Sequence, residues 1–170
     1  AWVVAQNARR SNIYFSPHEI RSGLHKQPEK KDVTRPRLIS LDIDPPKSGG
    51  SFNKEGMLRR LVEHATPPSF VINSGNGLQA FYRVTDGSLE QCEAVGQGLI
   101  QQFAGDPGTN NFNRVMRLPG TVNWPDERKK RRGCVPCSAA ITYPDQGLTY
   151  SMTDMLEAFG CKTKHEADRT

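Results

Sequence analysis

Apolar and polar positions alternate along Leu38 Ile39 Ser40 Leu41 Asp42 Ile43 Asp44, which predicts a strand with Ile39, Leu41 and Ile43 on one face and Asp42 and Asp44 together on the other. After a loop at 47–51 the period changes. Met57, Leu58, Leu61, Val62 and Ala65 recur at helical spacing, predicting a helix over 53–65 that Thr66 Pro67 Pro68 ends. Residues 69–73 and 78–84 are two apolar strands around Ser74 Gly75 Asn76 Gly77, the pattern of a hairpin. Ser88 and Gln91 form a reciprocal cap ahead of Leu89, Cys92, Val95, Leu99 and Phe103, which share one helical face, and Gly105 closes that helix. A strand over 138–143 and a helix over 153–159, capped by Ser151 or Thr153, complete the pattern, and Trp2 to Ala5 opens it in helix-like sequence. Strand, helix, hairpin, helix, strand, helix predicts an α+β domain whose mixed sheet carries its helices on one side.

A chain of 170 residues that is 35% hydrophobic can bury a proper core, so residues 1–160 are expected to form one domain followed by a polar tail over 161–170. The chain starts at Ala1 inside helix-like sequence, which predicts a piece of a longer protein. No apolar run reaches the roughly 18 residues of a membrane helix and no signal segment opens the chain, so a cytoplasmic protein with no membrane partner is expected. Four cysteines are too sparse for a disulfide scaffold at this size. The net charge of +5 is modest but unevenly spread: Arg128, Lys129, Lys130, Arg131 and Arg132 run unbroken, and Lys26, Lys30, Lys31, Arg35 and Arg37 precede the aspartate strand. Such runs attract phosphate backbones, although a solvated loop has the same composition.

Two carboxylates on one face of a strand repel each other unless a cation lies between them, and hard Mg²⁺ or Mn²⁺ takes oxygen ligands of this kind, usually shared with substrate phosphates. Asp42 and Asp44 therefore point to phosphoryl or nucleotidyl transfer. The plain alternative is a solvated turn in which Asp44 caps the backbone ahead of Pro45 and Pro46.

Leu41 Asp42 Ile43 Asp44, Ser74 Gly75 Asn76 Gly77 Leu78 Gln79, and Asn111 to Asn123 with its Arg-Leu-Pro-Gly-Thr-Val-Asn segment follow one another in an order that resembles the RepB-like primase domains of phages, plasmids and other mobile elements. These are primase-polymerases of the archaeo-eukaryotic primase superfamily, and the resemblance covers about residues 10–145. It implies an RRM-like mixed or antiparallel sheet flanked by helices. It also implies two Mg²⁺ or Mn²⁺ ions held by carboxylates, and template-directed transfer of NTPs or dNTPs on single-stranded DNA by a bacterial or phage-encoded protein with a fused or separate helicase. Asp42 and Asp44 would be the catalytic metal ligands. Ser74, Gly75 and Gly77 would offer a hydroxyl and open backbone N–H groups to phosphates. Arg114 and Arg117, three residues apart, would share a face of a helical turn and clamp phosphates, or one of them would brace the Pro-Gly turn. Two positions depart from the family pattern. Gln79 stands where a phosphate-contacting histidine is usual, and Asn111 where a third metal-binding acid is usual, with Asp106 the nearest carboxylate upstream.

Cys134 and Cys137 with Cys161 and His165 have the spacing of a structural zinc site, but the chain between them reads as strand and helix, so free thiols are the preferred reading. Trp124 offers a ring on which a base of single-stranded nucleic acid could stack, or else closes a core. His18, His25 and His64 lack a neighbouring nucleophile and read as surface or capping residues. The rival to a primase-polymerase is a single-stranded-DNA-binding replication-initiation module of the same fold with attenuated catalysis, as Gln79 and Asn111 would permit. A metal-dependent glycosyltransferase or nuclease would explain the aspartates but not Arg114 to Asn123.

Overall fold

A computed structural model describes residues 1–46, 51–111, 113–131 and 133–159. Its elements run α1 (Trp2–Ala8), β1 (Tyr14–Phe15), β2 (Glu19–Ile20), β3 (Val33–Arg35), β4 (Leu38–Ile43), α2 (Lys54–Val62), β5 (Phe70–Asn73), β6 (Leu78–Arg83), α3 (Leu89–Phe103), β7 (Met116–Arg117), β8 (Val122–Asn123), α4 (Glu127–Lys130), β9 (Cys137–Ser138), β10 (Ala140–Tyr143) and α5 (Met152–Phe159). The fold is α+β.

The main sheet has the order β10-β5-β6-β4, and every neighbouring pair is antiparallel. β4, α2 and β5 form a crossover with β6 inserted between the two strands, the split βαβ arrangement of an RRM-like sheet. The alternation in β4 does what its sequence predicts. Ile39, Leu41 and Ile43 are buried on the helix side with Ala80 and Tyr82 of β6, under Leu61 of α2, Cys92, Val95, Leu99 and Phe103 of α3 and Met152 and Met155 of α5. Ser88 and Gln91 make the reciprocal cap of α3 (2.9 and 3.2 Å), and Ser151 caps α5 by accepting the Asp154 N–H.

The opposite face of the sheet is covered differently. Ile72 and Phe81 pack there with Met116, Phe15 and Phe70, beneath the small β1–β7 pair. Phe81 and Tyr82 are both fully buried on opposite faces, so neither reaches a ligand. α1 is tied to the far end of the chain: the Asn7 amide exchanges hydrogen bonds with the Val122 backbone (2.7 and 2.9 Å), and the Trp124 indole N–H donates to Asn7 O (2.9 Å).

Several expectations are corrected. α2 stops at Val62 rather than 65, where His64 Nδ1 accepts the Thr66 N–H (3.1 Å) and breaks the helical pattern. α3 ends through a left-handed Ala104 (φ 54°), with the Gly105 N–H closing it on Ile100 O (3.1 Å). The single strand over 138–143 is divided, because buried Ala139 donates to Thr121 O and turns the chain from β8 as partner to β5. His18 is buried rather than on the surface, and burial pushes its pKa down to about 4. The predicted loop over 47–50 and the tail over 161–170 lie outside the described residues. Among the described residues, no helix is long and apolar enough to cross a membrane.

Candidate active site

The site lies on the sheet face opposite the main helices, at the C-terminal end of β4. Antiparallel register sets Asp42 opposite Gln79 of β6. α3 then delivers a third acid. Its exit passes so close to β4 that a Cβ on Gly105 would lie 2.3 Å from Leu41 Cδ1, and this approach lets the Asp106 N–H donate to Asp42 O (2.7 Å). The carboxylate oxygens of Asp42, Asp44 and Asp106 thereby come within 4.8 Å of one another.

Asp42 is buried, Asp44 exposed and Asp106 intermediate. Burial first, then the neighbouring Asp44, raises the Asp42 pKa from 3.8 to about 6, although Arg114 and a Gln79 hydrogen bond pull the other way. A desolvated carboxylate crowded by two others is relieved by a cation, and an all-oxygen donor set suits Mg²⁺ or Mn²⁺. Here the countercharge is Arg114, whose guanidinium bridges Asp42 Oδ2 and Asp106 Oδ2 at 3.1 Å each.

Asn111, expected as the third ligand, is exposed; its carbonyl accepts the Arg114 N–H (2.9 Å) and shapes the turn that presents Arg114. The third carboxylate that clusters with Asp42 and Asp44 is that of Asp106. The sequence separates it from the Arg114 to Asn123 segment by a 3-10 turn at Pro107–Asn110, which folds it back onto β4.

Arg117 is not in a helical turn with Arg114; it is the second residue of β7. Only 5% exposed, it donates to Asn12 Oδ1 (2.8 Å), Tyr14 Oη (3.0 Å) and Asn123 Oδ1 (2.9 Å), with its guanidinium 4.3 Å from the Tyr14 ring centroid. Its backbone N–H donates to Gln79 Oε1 (3.1 Å), so Gln79 links Arg117 to Asp42. Asn12 and Tyr14, far upstream, carried no signal for this role beyond being polar next to a short apolar run.

The Ser74 to Gly77 turn differs from the expected open phosphate cradle. Gly75 N–H donates to Asn73 Oδ1, Gly77 N–H to Ser74 Oγ, and the Ser74 hydroxyl to Gly77 O, so these donors are used within the turn. Lys54 Nζ braces it at Gly75 O (2.8 Å) and Asn123 Nδ2 at Ser74 O (2.9 Å). Gly77 is required by packing, because a Cβ there would meet Ile43 O at 2.3 Å and Asp44 Oδ1 at 2.8 Å. Ser74, Asn76 and Gln79 nevertheless line, with Tyr14, Asp42, Asp44, Arg114, Arg117, Asn123 and Lys129, a polar cleft of about 310 Å³.

Of the basic run, Arg128, Lys129 and Lys130 lie on exposed α4 and Arg131 caps it, while Arg132 lies outside the described residues. Lys129 alone of these lines the cleft. Cys134 and Cys137 are free thiols, Cys161 and His165 lie outside the described residues, and among the described residues the acidic trio is the metal-competent cluster.

A family profile described as the RepB DNA-primase N-terminal domain matches residues 38–142. Among solved structures, the chain is similar to the primase RepB' (15% identity, TM-score 0.62), covering 99% of this chain and 48% of that one. It is also similar to the archaeo-eukaryotic primase domain of the cyanophage S-2L primase-polymerase (18% identity, TM-score 0.61, 94% of this chain and 77% of that one). A third match is the catalytic domain of RepB' in complex with initiator DNA (16% identity, TM-score 0.61, 99% of this chain and 72% of that one). The chain thus spans about half the length of the first of these. No curated protein matches it.

Proposed function

The chain belongs to the RepB DNA-primase N-terminal domain family, and from that premise we propose that it is the primase-polymerase domain of a mobile-element replication protein, transferring nucleotides on a single-stranded DNA template. The observation that carries the reading is the convergence of the carboxylates of Asp42, Asp44 and Asp106, with Arg114 bridging Asp42 and Asp106, where Asp42, Asp44 and Arg114 line the cleft.

When bound, Mg²⁺ or Mn²⁺ would neutralise the triphosphate and activate the attacking 3′-oxygen. Asp42, Asp44 and Asp106 are the residues that would hold it. Arg114 takes the phosphate role: its guanidinium bonds to Asp42 and Asp106, acids that a metal would engage, which would free a planar, always-charged fork for an incoming phosphate. Arg117 braces the cleft, with its donors spent on Asn12, Tyr14 and Asn123. Gln79 orients Asp42 rather than supplying charge. The Ser74 to Gly77 turn forms the wall beside Asp44. The exposed cations of α4 attract the DNA backbone, with Lys129 at the cleft edge.

The non-catalytic binding module drew on two departures from the family pattern. Asp106 offsets the loss of charge at Asn111; Gln79 remains.

Labelled ATP and dATP are to be offered with single-stranded and primed DNA, with Mg²⁺ or Mn²⁺, to the wild type and to a folded Asp42→Asn/Asp44→Asn variant. Incorporation that the variant loses is the expected result. Salt-dependent DNA binding without incorporation by the wild type would favour the binding module instead.

A further inference from the structure

Beside the catalytic cleft lies a second pocket of about 400 Å³, walled by Trp124, Pro125 and Pro136 and rimmed by Arg10, Asn12, Asp126 and Lys130. We propose that this pocket holds one nucleotide unit of the single-stranded DNA, with the base against the Trp124 ring and the phosphate at Arg10 and Lys130. The inference rests on the primase reading and adds to it the place where the strand is gripped outside the cleft.

The Trp124 ring is held in place. Its indole N–H donates to Asn7 O (2.9 Å), its backbone N–H to Asn12 Oδ1 (2.8 Å), and its carbonyl accepts from Asn12 Nδ2 (2.8 Å). A ring held in place and flanked by two prolines offers an apolar stacking surface at little entropic cost, and such surfaces take bases of any sequence. The surrounding charges fit a phosphate on one side only. Arg10 is exposed and lies over the Trp124 ring with its guanidinium 5.7 Å from the centroid, so an arriving base shares or displaces this cation, which then meets the phosphate. Lys130 is paired with exposed Glu127, a bond that a phosphate can displace. Asp126 accepts the Lys129 N–H as the cap of α4, and its carboxylate repels a phosphate placed beside it, leaving that side to the base edge.

The pocket neighbours the cleft through two links. Consecutive residues of α4 divide between them, Lys129 lining the cleft and Lys130 the pocket. Asn12, on the pocket rim, accepts from Arg117, which lines the cleft. A strand gripped at Trp124 therefore leads towards Asp42. The larger hollow near Arg35, Arg37 and Arg83 is a poorer candidate, because it lies at the Leu38–Arg83 end of the β4–β6 pair, away from Asp42.

The chain contains two tryptophans, and Trp2 is 68% exposed, so Trp2→Phe leaves Trp124 as the sole reporter without disturbing the core. This variant is titrated with a short oligothymidylate and with the same backbone lacking bases, while fluorescence anisotropy of labelled DNA measures binding independently. Expected are saturable quenching of Trp124 by the oligothymidylate at the anisotropy midpoint, and about tenfold weaker binding without quenching for the abasic strand. Arg10→Ala should weaken oligothymidylate binding about threefold or more. Binding with Trp124 emission unchanged would overturn the pocket assignment and leave the primase reading standing. No DNA binding by anisotropy would overturn both.

Discussion

Arg114 and Arg117 leave one short connector three residues apart and line one cleft, yet they have opposite surroundings. Arg114, with a third of its side chain exposed, bonds to Asp42 and Asp106, whose charges would otherwise repel. Arg117 is 5% exposed and bonds to neutral Asn12, Tyr14 and Asn123. The acid side of the cleft is costly as it stands and gains from an arriving cation. The neutral side is satisfied without a ligand and holds the walls in place. Residue type and spacing are shared; what differs is the charge of the partners, which long-range folding supplies.

The largest effect separating the two sides is on stability. Arg117→Ala removes three side-chain hydrogen bonds and leaves buried Asn123 short of a partner, so it should cost about 3–5 kcal/mol. A thermal melt should show a fall of roughly 10 °C. A melt within a degree or two of wild type would mean that the neutral network does not brace the cleft.

Acidification tests the cost on the other side. Between 3.8 and about 6 the folded chain keeps an Asp42 proton that the unfolded chain has lost, so this contribution is full at low pH and is lost as pH rises through about 6. Its size is about 3 kcal/mol. His18, lowered from 6.5 to about 4, has the opposite sign: its contribution is present above 6.5 and lost as pH falls towards about 4. The two nearly cancel in the wild type. Asp42→Asn should therefore stabilise the protein at neutral pH by about 1–3 kcal/mol and expose the His18 slope, losing stability on acidification. Denaturant unfolding from about pH 4 to about pH 7 measures this, and identical curves for variant and wild type would refute the strain assigned to Asp42.

The smallest effect concerns Arg114. Without its competing guanidinium, Arg114→Ala should bind Mn²⁺ alone about three- to tenfold more tightly while incorporating nucleotide less well. Paramagnetic resonance of free Mn²⁺ reads the first part. Unchanged or weaker Mn²⁺ affinity would mean that Arg114 does not stand in for the metal.

Local patterns explain what the sequence made legible. Period-two alternation brings Asp42 of β4 and Asp44, one residue past its end, to the same side, and the Ser88–Gln91 pair starts α3, because each depends on neighbours within a few residues. The docking of α1 under Trp124 and the bracing of Arg117 by Asn12 and Tyr14 join residues more than 100 positions apart, and no periodicity announces them. Asp106 falls between these cases. It was visible as the nearest carboxylate, but its approach to Asp42 depends on Gly105 passing over Leu41, a tertiary contact.

The most direct test of the acidic trio is nucleotide incorporation on single-stranded DNA by folded Asp106→Asn beside Asn111→Ala. The account predicts that Asp106→Asn loses about a thousandfold or more, as expected when a metal ligand is lost, and that Asn111→Ala stays within about threefold of wild type. An active Asp106→Asn with an inactive Asn111→Ala, or a wild type that incorporates nothing, would contradict it.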